Sequence, residues 1–90
     1  MNFIEKQNFE VIDRFFIRTN ARNEILGIYR LVHNEKEQWV RELIWNNEKW
    51  IQTDNLIRML IGLDIGLDEV EKDIINQVSP EVDTSTYVLE

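Results

Sequence analysis

The chain has 90 residues, a formal net charge of −7, 43% hydrophobic residues and no cysteine. This length suits one domain and is too short for two independent cores. The lack of cysteine excludes disulfides, thiol chemistry and cysteine-ligated zinc. The longest apolar run, residues 59–63, is much shorter than a membrane span. No signal-peptide pattern opens the sequence, so we expect a cytoplasmic protein without a membrane segment.

The first half of the sequence predicts four antiparallel strands. Residues 9–18 alternate apolar and charged side chains; they also fit helical spacing, but their Phe, Val and Ile content favours a strand. Residues 24–33 are apolar on both sides, as expected of a central strand. The third and fourth strands are predicted at residues 38–46 and 49–53.

A hairpin is predicted between the third and fourth strands. The polar connection Asn46–Lys49 separates Trp45 from Trp50. This spacing would place the two indoles opposite each other as a cross-strand pair, worth about 0.5–1 kcal/mol over an alanine pair.

Two short helices are predicted after the strands, at residues 55–61 and 69–78. Asp54 would cap the first helix, and Gly62 would end it in the left-handed conformation. For the second helix, Asp68 and Glu71 resemble a capping box.

This order of elements predicts an α+β fold, a meander sheet of about four strands with both helices packed on one face. Residues 1–80 are expected to form one globular domain. Residues 81–90 are polar and predict a flexible tail, in which residues 89–90 resemble the remnant of an affinity tag.

No catalytic or cofactor motif is apparent in the sequence. The single histidine, His33, lies in a polar segment, and no glycine-rich phosphate loop is present. The acidic residues near Asp68 do not have the spacing of a calcium loop. We therefore predict no cofactor, no metal site and no catalytic residues. An enzyme would require Asp13, Arg30, His33 and Glu42 to converge in one pocket.

The charge is distributed unevenly along the chain. Residues 1–45 have no net charge, whereas residues 46–90 carry all of the −7. A negative field of this size disfavours direct binding to nucleic acid and favours a basic protein partner.

The sequence does not determine a function. Our leading hypothesis is a small non-enzymatic protein-interaction module, binding a basic partner or a second copy of itself. The alternatives are an acidic inhibitor or nucleic-acid mimic that binds a basic protein surface, and a small enzyme with an unrecognised site. The predicted interaction surface comprises four aromatic and four acidic residues: Tyr29, Trp39, Trp45, Trp50, Asp68, Glu69, Glu71 and Asp73.

Overall fold

The structure is a computed structural model, and it describes residues 11–34, 36–62 and 66–87. These residues form five strands and two helices. In chain order they are β1 (Val11–Thr19), β2 (Ile25–Asn34), β3 (Trp39–Asn46), β4 (Lys49–Gln52), α1 (Leu56–Ile61), β5 (Leu67–Val70) and α2 (Lys72–Val78). The strands form one antiparallel sheet in the order β4-β3-β2-β1-β5. The predicted α+β fold with a meander sheet is confirmed, and the sheet has one more strand than predicted.

The additional strand, β5, occupies residues that were predicted to begin the second helix. Val70 pairs with Phe15 and Leu67 pairs with Arg18 of β1. The helix therefore begins at Lys72 rather than at residue 69, with Glu71 at its N-cap and no side-chain capping bond. Pairing with β1 satisfies the backbone groups of both segments, and this outweighs the local helix signal of Asp68.

The ends of α1 also differ from the prediction. Its N-cap is Asn55 rather than Asp54, and Gly62 ends the helix with a φ of −77°, outside the left-handed region. The glycine that adopts a positive φ is Gly66, at +97°. A Cβ atom on Gly66 would lie 2.4 Å from the carbonyl oxygen of Thr19.

The two helices lie on opposite faces of the sheet, so the prediction that both pack on one face is wrong. On the face covered by α2 (the α2 face), Phe15, Ile17 and Ile28 pack with Ile75 and Val82. On the face covered by α1 (the α1 face), Phe16, Tyr29 and Leu31 pack with Leu56. The physical reason is the central strand β2, whose apolar side chains alternate between the two faces, so that each face needs a cover.

The segment after α2, residues 79–87, lies against the α2 face, and we call it the strap. Val82 is 3% exposed and belongs to the core of that face. The indole nitrogen of Trp50 donates to the carbonyl oxygen of Asp83 at 2.7 Å. Residues 81–87, which were predicted to belong to a flexible tail, thus pack on the α2 face through a buried valine and through hydrogen bonds from the Trp50 and Arg30 side chains. Residues 88–90, which include the tag-like pair, lie outside the described residues.

The predicted hairpin is present and tighter than expected. The rings of Trp45 and Trp50 have centroids 5.2 Å apart at an interplanar angle of 69°, an edge-to-face contact. Asn46 and Lys49 are themselves paired, so the connection is only Asn47 and Glu48. Both have positive φ, 52° and 65°, as in a two-residue type I′ turn.

None of the helices in the described ranges has the length and apolar character required to cross a bilayer.

Candidate functional site

A groove of about 790 Å³ lies beside the first half of β1. Its other walls are the corner where β5 passes into α2 and the end of the strap. The apolar part of its lining comes from Val11, Phe15, Val70 and Tyr87. This volume falls within the roughly 300–1,000 Å³ typical of ligand-binding clefts.

The groove exists because β5 is shorter than β1. The strand β1 extends from Val11 to Thr19, but β5 pairs only with Phe15–Arg18. Beyond Val70 the chain leaves the sheet and enters α2 at Lys72. In the described part of the chain, the edge of β1 before Phe15 thus has no paired strand on its β5 side.

The backbone groups on this open edge can be assigned from the hydrogen-bond pattern. The amide of Thr19 donates to the carbonyl oxygen of Gly66 at 2.8 Å, so Thr19 faces β5. In an antiparallel strand alternate residues direct both N–H and C=O to the same side. Asp13 and Val11 therefore direct their backbone groups towards the groove, where β5 has ended.

Arg30 holds two walls of the groove together. Arg30 lies on the α2 face and is only 1% exposed. The guanidinium donates from Nε to Oδ1 of Asp13 at 2.8 Å and from Nη2 to Oδ2 of Asp13, and Nη2 also donates to the carbonyl oxygen of Ser85 at 2.6 Å. A buried cation needs such partners, because desolvation without them would cost several kcal/mol. The arginine thereby fixes the Asp13 carboxylate on one side and the strap on the other.

Three aromatic rings surround the same guanidinium. Its carbon lies 4.9 Å from the ring centroid of Phe15, 5.5 Å from that of Trp50 and 5.6 Å from that of Tyr87. Cation–π contacts within about 6 Å stabilise such a cation, more strongly where it is desolvated. The position of Tyr87 in the groove is therefore tied to Arg30.

A second ion pair links β1 to β5. Arg14 donates from Nε to Oε2 of Glu69 at 3.0 Å and from Nη2 to Oε1 at 2.8 Å. These hydrogen bonds lower the pKa of the Glu69 carboxyl and raise the pKa of the Arg14 guanidinium. The side chains are 38% and 48% exposed, so the pair is hydrated. It ties β5 to β1 and forms part of the groove lining.

The four aromatic residues of the predicted interaction surface do not form one surface. Trp45 and Trp50 lie on the α2 face, whereas Tyr29 is buried on the α1 face. Trp39 lies at the start of β3, where its Nε1 donates to Oε1 of Glu37 at 3.0 Å and Arg41 lies over its ring. Trp50 alone approaches the groove, through Arg30.

The four acidic residues are divided in a similar way. Glu69 and Glu71 line the groove. Asp68 pairs across from Ile17 and therefore lies on the α2 face of β5, opposite to Glu69, which pairs across from Phe16. Asp73 lies in the first turn of α2. The row of evenly spaced carboxylates expected of a nucleic-acid mimic is not formed by these residues.

The residues of the hypothesised enzyme site are separated by the sheet. Asp13 and Arg30 lie on the α2 face. His33 pairs across from Ile12, and Glu42 across from Leu31, which places both on the α1 face. The Oε1 atom of Glu42 accepts a hydrogen bond from the amide of Ile57 at 2.8 Å, at the beginning of α1. Within the described ranges, no group of three or more His, Cys, Asp or Glu residues could hold a metal ion.

Sequence reasoning missed most of the groove. Val11, Lys72, Thr84, Thr86 and Tyr87 were not expected at a site, and the last three were assigned to a tail. One sequence signal did point to the ion pair beside the groove. Asp13 and Arg30 are charged residues in neighbouring apolar strands, and a charge that a strand buries needs an opposite charge on the same face. Nothing in the sequence marks Tyr87.

Comparison with protein-family models, with curated proteins and with solved structures gave no match.

Proposed function

We propose that this protein is an interaction module that binds an extended segment of a partner protein in the groove beside β1. The observation that carries this proposal is the open edge of β1, where the backbone groups of Val11 and Asp13 face a cleft of about 790 Å³. An added strand forms main-chain hydrogen bonds to such an edge, and neighbouring pockets select its side chains.

The groove lining supports a peptide ligand. Val11, Phe15, Val70 and Tyr87 offer apolar contact area, while the threonines of the strap, Thr84 and Thr86, offer polar groups at the rim. A peptide strand presents apolar side chains and backbone donors in alternation, and both would find partners here. Binding, rather than catalysis, is the function that this combination favours.

The faces of the sheet are weaker candidates for the interaction surface. Each face carries a helix over an apolar cluster, and the exposed apolar side chains of the sheet include Val11, Ile25, Leu26 and Val40. A partner strand can add at an edge of the sheet, and the open edge of β1 is the one that lies beside the groove.

Peptide selection with the full chain tests the proposal. A library of random linear peptides is selected against the protein, and the enriched peptides are located by amide chemical-shift changes. We expect the shifts to concentrate at Val11–Phe15, Glu69–Lys72 and Thr84–Tyr87. Enriched peptides that shift amides elsewhere, or a selection without enrichment, would contradict the proposal.

A pair of proline variants provides the matched control. Val11→Pro removes an N–H that faces the groove and leaves the pairing with β2 intact, because the backbone groups of Val11 point away from β2. On the opposite edge of the sheet, the amide of Thr53 donates to the carbonyl oxygen of Glu42 in β3 at 2.9 Å. Because neighbouring residues of a strand alternate, the N–H of Gln52 points away from β3. Val11→Pro should abolish peptide binding and Gln52→Pro should retain it; equal binding by both would exclude the β1 edge.

A further inference from the structure

We infer that the segment bound in the groove is basic and places a lysine or arginine side chain beside Asp13 on the α2 face. This inference rests on the proposed function and specifies its partner. Three observations carry it: the charge of the segment 66–87 that borders the groove, the exposure of Asp13 and the alternation of a paired strand.

The segment that forms the β5 side of the groove and the strap carries a strong negative charge. Described residues 66–87 include one basic residue, Lys72, and six acidic ones, a net charge of −5. The acidic residues are Asp68, Glu69, Glu71, Asp73, Glu81 and Asp83, of which Glu69 and Glu71 line the groove itself. The ion pairs Arg14–Glu69 and Arg30–Asp13 are each neutral. Without Glu69, residues 66–87 still hold five acidic residues against Lys72, a net charge of −4. A cationic segment is therefore attracted and an anionic one repelled.

Two carboxylates in the lining remain open to a further cation. The Asp13 side chain is 29% exposed, whereas that of its partner Arg30 is 2% exposed, so the carboxylate lies between the buried arginine and the solvent. An ionised carboxylate has about four acceptor positions. Glu71 makes no side-chain capping bond and no ion pair with any other described residue.

Strand alternation determines which partner side chain meets Asp13. A bound segment would pair with β1 where β5 has ended. Its residue directly opposite Asp13 directs its side chain to the α2 face, and the Cβ atoms of these two residues lie about 5 Å apart. Its two neighbours in the partner strand point to the α1 face, towards Arg14. A segment with basic residues at every second position fits this pattern, whereas a second copy of this chain, also at −7, is repelled.

Three capped octapeptides test the inference on the full chain. In them, valine alternates with lysine, with threonine or with glutamate, and binding is followed by amide shifts at Val11–Phe15 and Thr84–Tyr87. We expect the lysine peptide to bind at least ten-fold more tightly than the threonine peptide, and the glutamate peptide to bind least. Equal affinity of the lysine and threonine peptides would overturn the charge inference and leave the proposed function standing. Failure of all three would overturn both.

Backbone methylation of the peptide and charge variants of the protein distinguish strand pairing in the groove from non-specific electrostatic attraction. A lysine peptide with alternate N-methyl groups keeps its charge and should lose groove binding. Glu71→Gln should weaken the lysine peptide roughly three-fold, the scale of one hydrated ion pair. Glu81→Gln changes the net charge equally, lies outside the groove lining and should have a smaller effect. Equal effects of the two variants would refute a local contact.

Nuclear Overhauser contacts from residues 1–10 to the groove in the peptide-free protein would identify another occupant and overturn the inference. Chemical shifts of the groove amides that depend on protein concentration would do the same, because they would indicate a second copy of the chain.

Discussion

Replacing Arg30 with methionine should destabilise the fold by about 3 kcal/mol. Removing one member of a buried ion pair costs about 3–5 kcal/mol, because the other charge remains without its partner. Asp13 is 29% exposed and recovers part of its hydration, which places the cost near the lower limit. The carbonyl oxygen of Ser85 also loses its donor. For a chain of this length, the total free energy of unfolding is roughly 5–13 kcal/mol, so this single change removes a large fraction of it.

Urea unfolding followed by tryptophan fluorescence measures this effect, because Trp50 lies beside Arg30. Arg22→Met is the matched control, since Arg22 is exposed in the turn after β1, and it should change stability by less than about 0.5 kcal/mol. Arg30→Lys keeps the charge but cannot form the planar two-point contact with Asp13, so it should also be destabilised.

The combination of Asp13→Asn with Arg30→Met should be more stable than Arg30→Met alone, because no charge is left without its partner. A loss below about 1 kcal/mol for Arg30→Met would refute the assigned role. So would a lysine variant as stable as the wild type, since the geometry of the guanidinium would then be irrelevant.

Three further substitutions test local features of the fold. Glu48→Gly should stabilise the protein by about 1 kcal/mol in thermal unfolding, because glycine adopts the positive φ of 65° without strain; a lower melting temperature would contradict this. Gly66→Ala should destabilise by about 2 kcal/mol or more in urea, since its φ is +97° and its Cβ would meet Thr19, and an unchanged midpoint would refute the clash. Glu69→Gln should cost less than about 1 kcal/mol at neutral pH. Because folding lowers the pKa of Glu69, its contribution is present above the ordinary value of 4.5 and disappears as the pH falls through the lowered pKa; a cost that persists in acid would exclude the ion pair.

The strands of the meander could be predicted because their signals are local. Alternation in β1, the two-sided apolar character of β2 and the spacing of Trp45 and Trp50 all describe neighbours in sequence. The strand β5 has no such signal, since two of its four residues are acidic. Its conformation comes from pairing with β1, which lies about 50 residues earlier. Likewise, residues 81–87 are polar in sequence and become ordered through the Val82 contact and the carbonyl groups that accept from Arg30 and Trp50.

The candidate site was even less accessible from sequence. Asp13 and Arg30 could be recognised as charges in apolar strands, and their partnership follows from strand alternation. The groove itself depends on where β5 stops, and no residue near Val70 marks that end. Tyr87 contributes only because Arg30 holds the strap in place, which is a tertiary effect.

The antiparallel pairing of β1 with β5 has a consequence for synthesis on the ribosome. Residues 11–19 emerge long before residues 67–70, so a nascent chain carries β1 with one side open until the later strand arrives. Exposed edges of this kind recruit other strands and favour misassembly. Contacts across some 55 residues, such as Arg14 with Glu69 and Arg30 with Ser85, also slow folding relative to a local hairpin. Slower translation through the region between β4 and β5 would prolong this vulnerable state, which links codon usage there to the yield of folded protein.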